Sequence, residues 1–157
     1  MFKATRELIK LRQPFTNSIG HVSVRRINGG EPRRCYDNSY RFTENNNESK
    51  IVSGWYVNKW NKTTNSCLIV SHYWNIDKNG VHIDSTPAPL ELLGGEYVVD
   101  SEIGSFANEN GDSLLSELCS TIIITGSKIT GVDFREHGNV YRTFKDFRVK
   151  TLFSELN

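Results

Sequence analysis

A thiol, an imidazole and a carboxylate can together attack a carbonyl, and Cys35, His72 and Asp84 supply one of each in the order that such chemistry often uses. The division of labour is fixed by physical chemistry. A nucleophile must be ionised, a base must hold its proton and later return it to the leaving group, and a third group must orient the base. Of the three cysteines, Cys67 lies in the apolar run CLIV and Cys119 in LLSELCSTIIIT, so both read as small buried hydrophobes. Cys35 is different. It sits in RRCYDNSYRF, behind Arg33 and Arg34 and near an expected helix start, which predicts a partly exposed, electropositive thiol.

The elements that must position these groups can be read along the chain. Residues 2–12 carry helical spacing and Pro14 ends it. Residues 20–28 alternate as a short strand, and Gly29-Gly30-Glu31-Pro32 is a turn leading into a helix over 33–43. Residues 50–60 and 66–76 are dense in β-branched and aromatic residues and predict two strands. Further strands are expected at 81–84, 96–100 and 121–125, a short helix at 112–119, and a strand with a short helix over 140–153. Strands grouped beside a few helices predict an α+β fold in one domain spanning 1–157, with its core at about 29–100.

Register decides whether His72 can meet Asp84. A two-residue turn at Asn79-Gly80 pairs Asn75 with Asp84 and sends His72 to the opposite face, leaving Asn75 as a rival for orienting the ring. A three-residue loop, Lys78-Asn79-Gly80 with Gly80 left-handed, pairs Trp74 with Asp84 and makes His72 the diagonal same-face neighbour of the carboxylate.

The order of a Cys at a helix start, then Gly54-Trp55, then His72-Tyr73-Trp74, then Asp84-Ser85-Thr86-Pro87 resembles the transglutaminase-like branch of the papain-like superfamily, in its small phage and bacterial form. Gly94-Gly95-Glu96-Tyr97 loosely resembles a segment that follows Asp-x-Thr in such members, so the likeness covers residues 33–97. It implies a helix bearing the Cys packed on an antiparallel sheet. It also implies a Cys35–His72–Asp84 triad acting on amides as a peptidase, isopeptidase or glutamine deamidase. No Trp precedes Cys35 to assist an oxyanion hole; Gln13 and Asn17, upstream as in papain-like enzymes, are the side-chain candidates beside the Cys35 N–H. Trp55, Trp74 and His82 are candidates for the cleft, although the tryptophans also suit plain core packing.

Simpler roles stand beside these. Cys35 can pack beneath its helix, His72 can be a core histidine, and Asp84 can cap the Ser85-Thr86 turn. A metal site from His72, His82 and Asp84 has the right ligand types but lacks a thiolate or third His, so neither metal nor other cofactor is expected. A net charge of +1 without a basic tract argues against nucleic acid, and no segment has the run of apolar residues a membrane helix needs. The N-terminal run lacks the apolar stretch of a signal peptide, so the expected compartment is cytoplasmic, a host's if the source is viral. The expected partner is a protein or peptide substrate. A second class of function is a non-catalytic binding or inhibitory module of phage or mobile-element origin that keeps the fold.

Overall fold

The computed structural model describes residues 1–16, 18–88, 93–103, 121–126 and 128–133. Helix α1 (Lys3–Arg12) buries Ala4, Thr5, Leu8, Leu11 and Arg12, a stripe at helical spacing. It closes into a 3-10 turn, Gln13–Phe15, where Pro14 has no N–H to carry the ladder on. The alternating run at 20–28 is broken at Ser23 into β1 (Ile19–Val22) and β2 (Val24–Arg26). Then come α2 (Cys35–Asn45), β3 (Lys50–Val57), β4 (Ser66–Ile76), β5 (His82–Asp84), β6 (Glu96–Asp100), β7 (Thr121–Thr125) and β8 (Lys128–Asp133).

The fold is α+β, with one eight-stranded, mostly antiparallel sheet. Its main path runs β1-β6-β3-β4-β5-β2, and β7 and β8 extend it from β4. Where one strand was expected at 20–28, the two halves go to opposite ends of that path. β1 pairs β6 antiparallel and β2 pairs β5 parallel. The strand β8 had no counterpart in the sequence reading. The expected helix at 112–119, Cys119 and the 140–153 tail lie outside the described residues.

Strand β4 organises the sheet. One edge pairs β3 throughout, from Lys50↔Ile76 to Val57↔Ile69. The other edge is shared: residues 66–70 pair β7 and residues 75–76 pair β5. Among the described residues, no strand pairs with residues 71–74 along that edge. His72 therefore stands at a split in the sheet.

Alternation sorts the side chains onto two faces. On one face lie Trp55, Val57, Cys67, Ile69, Tyr73, Val98, Ile122 and Ile124, packed with α1 and with Cys35 and Tyr36 of α2. Helix α2 is fixed there by the edge-to-face contact of Tyr36 on Tyr73, 5.1 Å between centroids, and by Asn75 Nδ2 donating to Ser39 O at 3.0 Å. On the other face Tyr56, Trp74 and Tyr97 form a smaller cluster with Val22, Val24, Val52 and Val99. No helix among the described residues is long and apolar enough to cross a membrane.

Candidate active site

The hairpin between β4 and β5 has the register that joins His72 to Asp84. Asn75 pairs Ile83 and Ile76 pairs His82, so Trp74 stands across from Asp84. The loop closes with Asp77 N donating to Val81 O at 3.0 Å and Gly80 N to Asp77 O at 3.1 Å. Gly80 takes φ +79°, a conformation that costs a side chain steric strain and glycine nothing. Asp77 Oδ1 adds bonds from the N–H groups of Asn79 and Val81. This local chemistry, in the loop that joins the two strands, sets which residue His72 meets across the hairpin.

His72 Nε2 meets Asp84 Oδ2 at 2.8 Å. The same oxygen accepts the Tyr97 hydroxyl at 2.7 Å and, at 3.4 Å, Arg26 Nη2; Oδ1 accepts the Thr86 N–H at 2.9 Å. Asp84 is thus both the histidine's partner and the cap of its own turn. It is 1% exposed. Burial pushes the carboxyl up, but the His72 charge and hydrogen bond, with the Thr86 N–H and the Tyr97 hydroxyl, hold it below its ordinary value. Burial and the neighbouring carboxylate push the Tyr97 hydroxyl far above its ordinary range, so it stays a donor. Asn75, the rival orienter, turns to α2 on the opposite face, and its Oδ1 is buried without a hydrogen-bond partner.

With Nε2 engaged, Nδ1 is the nitrogen His72 can offer to a reacting group, and it makes no hydrogen bond among the described residues. The ring lies nearly parallel to Trp74, at 6.1 Å and 22°, and is 12% exposed. Trp74 is fully buried and donates Nε1–H to His82 Nδ1 at 2.9 Å. That bond fixes the His82 tautomer, and burial lowers its pKa. Engaged in this way, His82 Nδ1 is not a ligand, and no group of three or more His, Cys, Asp or Glu side chains among the described residues is arranged to hold a metal.

The structure corrects several expectations. Cys35 does open α2, but it is 4% exposed rather than partly open, and it packs in the core on the helix face. His72 and Asp84 project from the other face and bond each other, and no hydrogen bond among the described residues joins Cys35 to His72. The reason is β4's own alternation: Tyr73 faces α2, so His72 cannot. Arg34 does not serve the thiol either; it binds Asp37 at 2.9 Å and lies 3.6 Å from Glu31. Trp55 is no cleft wall, being fully buried on the helix face with Nε1 donating to Asp100 Oδ2 at 2.9 Å. Gln13 is exposed at the start of the 3-10 turn that ends α1, and Asn17 lies outside the described residues.

One link does tie the Cys helix to the hairpin. Asn38, one turn after Cys35, donates Nδ2 to Thr86 Oγ1 at 3.0 Å, and Gly30 N donates to Ser85 O at 3.0 Å. A Cβ at Gly30 would collide with Ser85 O and the Asn38 amide, so only glycine allows this approach. Sequence reasoning missed Arg26 and Tyr97 as members of the site. Their alternation marks one face of each strand, but nothing local says that β2 and β6 flank the His72 hairpin. No protein-family model, curated protein or solved structure matches the chain.

Proposed function

We propose that this chain is a hydrolase of acyl substrates, amides above all, with His72 as general base and acid and Asp84 as its orienter. One observation carries the reading: the 2.8 Å bond from a half-buried His72 to a buried Asp84, with the other ring nitrogen left for chemistry. His72 Nδ1 takes a proton from water as the oxygen adds to the carbonyl carbon. The C–N bond then breaks and the imidazolium returns that proton to the leaving amine. Asp84 stabilises the imidazolium, and Tyr97 and Thr86 hold the carboxylate still. The α+β fold with a Cys helix packed on the sheet is compatible with a papain/transglutaminase-like core, and a peptide or protein substrate follows from that likeness.

A second reading keeps Cys35 as nucleophile in a Cys35–His72–Asp84 triad. The Asn38–Thr86 bond favours it, because it ties the first turn of the Cys helix to the turn that Asp84 caps. It requires Cys35 and His72 to leave the faces on which they now pack.

Hydrolysis of an activated ester such as p-nitrophenyl acetate separates the possibilities, measured on wild type, His72→Ala, Asp84→Asn and Cys35→Ser. Loss of turnover in His72→Ala with Cys35→Ser active supports water as the nucleophile. Loss in both, with an acyl group trapped on Cys35 by mass spectrometry, supports the triad. Equal rates in wild type and His72→Ala would sink the enzyme reading and leave a binding or inhibitory module.

A further inference from the structure

The His72 face contains a cation whose bonding is unfinished. Arg26, on the short strand β2, lies over two aromatic rings, with its guanidinium carbon 5.4 Å from the Tyr56 centroid and 5.8 Å from that of Tyr97. Those rings are themselves fixed. Tyr56 and Tyr97 meet edge to face at 5.0 Å, and the Tyr56 hydroxyl accepts the Gly95 N–H at 2.9 Å. A side chain at Gly95 would collide with the Tyr56 ring, so the backbone is pressed against this platform. The guanidinium is therefore held by packing on these rings together with its bond to Asp84.

A guanidinium has five N–H donors. Arg26 reaches Asp84 Oδ2 at 3.4 Å, a long bond, and its guanidinium also approaches the Tyr97 hydroxyl, which leaves donors over. The same oxygen already accepts two much shorter bonds, from His72 and Tyr97, so little acceptor capacity is left for Arg26. Its side chain is 30% exposed, and it meets the same Asp84 oxygen as the half-buried His72. A pair formed only to neutralise Asp84 would have used the fork of the guanidinium, as Arg12 does toward Asp100 with Nε at 2.6 Å and Nη2 at 3.3 Å.

We infer that Arg26, packed over Tyr56 and Tyr97 next to His72, is the anchor for an oxyanion of the ligand, a carboxylate or a phosphate. A planar guanidinium stacked on aromatic faces keeps its in-plane donors for a two-point contact with such a group. The inference rests on the reading of the His72 face as a functional site and adds the substrate's charge to it. A substrate with an acidic side chain or a free C-terminal carboxylate fits, and a phosphorylated one fits by the same chemistry. A neutral acyl group alone does not occupy the guanidinium.

Nuclear magnetic resonance of the Arg26 side-chain N–H groups and the His72 ring tests this without relying on turnover. The full chain is titrated separately with N-acetylglycine and with inorganic phosphate, at constant ionic strength balanced with chloride. The expected result is a saturable shift of the Arg26 signals and the His72 ring with at least one probe, while Arg25, the adjacent arginine, moves only linearly. The probe that saturates first identifies the source of the oxyanion. Arg26→Met should weaken that binding by about tenfold or more, and Arg26→Lys, which keeps the charge but not the fork, by less. Arg26 shifts no different from those of Arg25 with both probes overturn the assignment, and this comparison within the wild type holds even if a variant folds poorly. Saturable binding at Arg26 together with equal ester turnover in wild type and His72→Ala would keep the anchor and reject the hydrolase.

Discussion

The two faces of the sheet each hold a buried aspartate that meets an arginine and an aromatic donor, and the two clusters differ in how far those partners are buried. On the helix face Asp100 takes Arg12 on both oxygens and Trp55 Nε1 on one. The Glu102 N–H reaches Oδ1, while Asp100 O accepts Ser53 Oγ. Arg12, Asp100 and Trp55 are all 0% exposed. That cluster joins α1 to β3 and β6 and presents nothing to solvent. On the other face Asp84 is as deeply buried, but its partners His72 and Arg26 are 12% and 30% exposed. A buried carboxylate by itself says little about function. The reach of its partners decides.

The sharpest way to break this comparison is to remove the two arginines in turn. Arg12→Met strands Asp100 as an uncompensated buried charge and should cost about 3–5 kcal/mol, the usual penalty for halving a buried ion pair. Arg26→Met removes a long, partly solvated contact and should cost about 1 kcal/mol or less. Urea denaturation of both variants measures the difference. Equal losses would mean that the Arg26–Asp84 contact is as structural as the Arg12–Asp100 one.

Asp84→Asn comes next. It should abolish most His72-dependent turnover, on the order of 100-fold or more, because the amide no longer stabilises the imidazolium. It also has a signature in acid. The folded Asp84 carboxyl lies below its ordinary value of 3.8, so the unfolded chain takes up the proton first as pH falls. The stability Asp84 contributes is fully present above the ordinary value and is lost as pH falls through the folded one. Glu96 has the same sign: burial pushes it up, but Thr5, the Phe2 N–H and the terminal amine together lower it. Wild type should therefore lose stability in acid from both groups, and Asp84→Asn from one fewer. Unfolding free energies measured across the acid range check the difference; identical acid limbs would show that Asp84 gains nothing from its partners.

How much of this was legible in the sequence follows from how local each determinant is. The Asp77–Gly80 loop carries its own turn chemistry, so a dozen residues narrowed the hairpin to two registers, and the pairing of Asn75 with Ile83 decides for the one that joins His72 to Asp84. Helices α1 and α2 and strands β3 to β7 were likewise marked by spacing, prolines and β-branched runs. What could not be read is which face α2 covers. Cys35 and His72 are far apart in the chain, and only packing of Tyr36 on Tyr73 and Ser39 against Asn75 decides that the thiol belongs to the helix side. The split of the 20–28 run was hidden for the same reason. β1 and β2 take partners more than fifty residues away, at opposite ends of the strand order. Arg26 enters the site only through that crossing.

Tyr97→Phe asks for a smaller effect on the same face. The hydroxyl donates to Asp84 and keeps its proton throughout the ordinary pH range, so its loss removes one hydrogen bond and no charge. A cost of about 1–2 kcal/mol in stability is expected, since the acceptor keeps His72 and Thr86. Turnover should fall less than in Asp84→Asn, with the pH profile displaced because Asp84 has lost one of its donors. An unchanged profile would make Tyr97 a packing residue only.

The smallest expected effect sits at the edge of the site, where Trp74 reports on His82. The indole N–H donates to His82 Nδ1, which can accept only while that nitrogen carries no proton. Burial lowers the folded His82 pKa from its ordinary 6.5. The unfolded chain therefore protonates first, and the stability this residue contributes is complete above 6.5 and declines as pH falls toward the folded value. His82 is partly exposed, so solvent screens much of the effect and the loss should be slight. Trp74 is one of three tryptophans, so its fluorescence is best read as the difference between wild type and His82→Gln across that range. A spectral step present in wild type and absent in the variant assigns the titration to His82. No step in either would mean that the Trp74–His82 bond does not limit protonation, and that the His72 face tolerates mild acid without rearranging its floor.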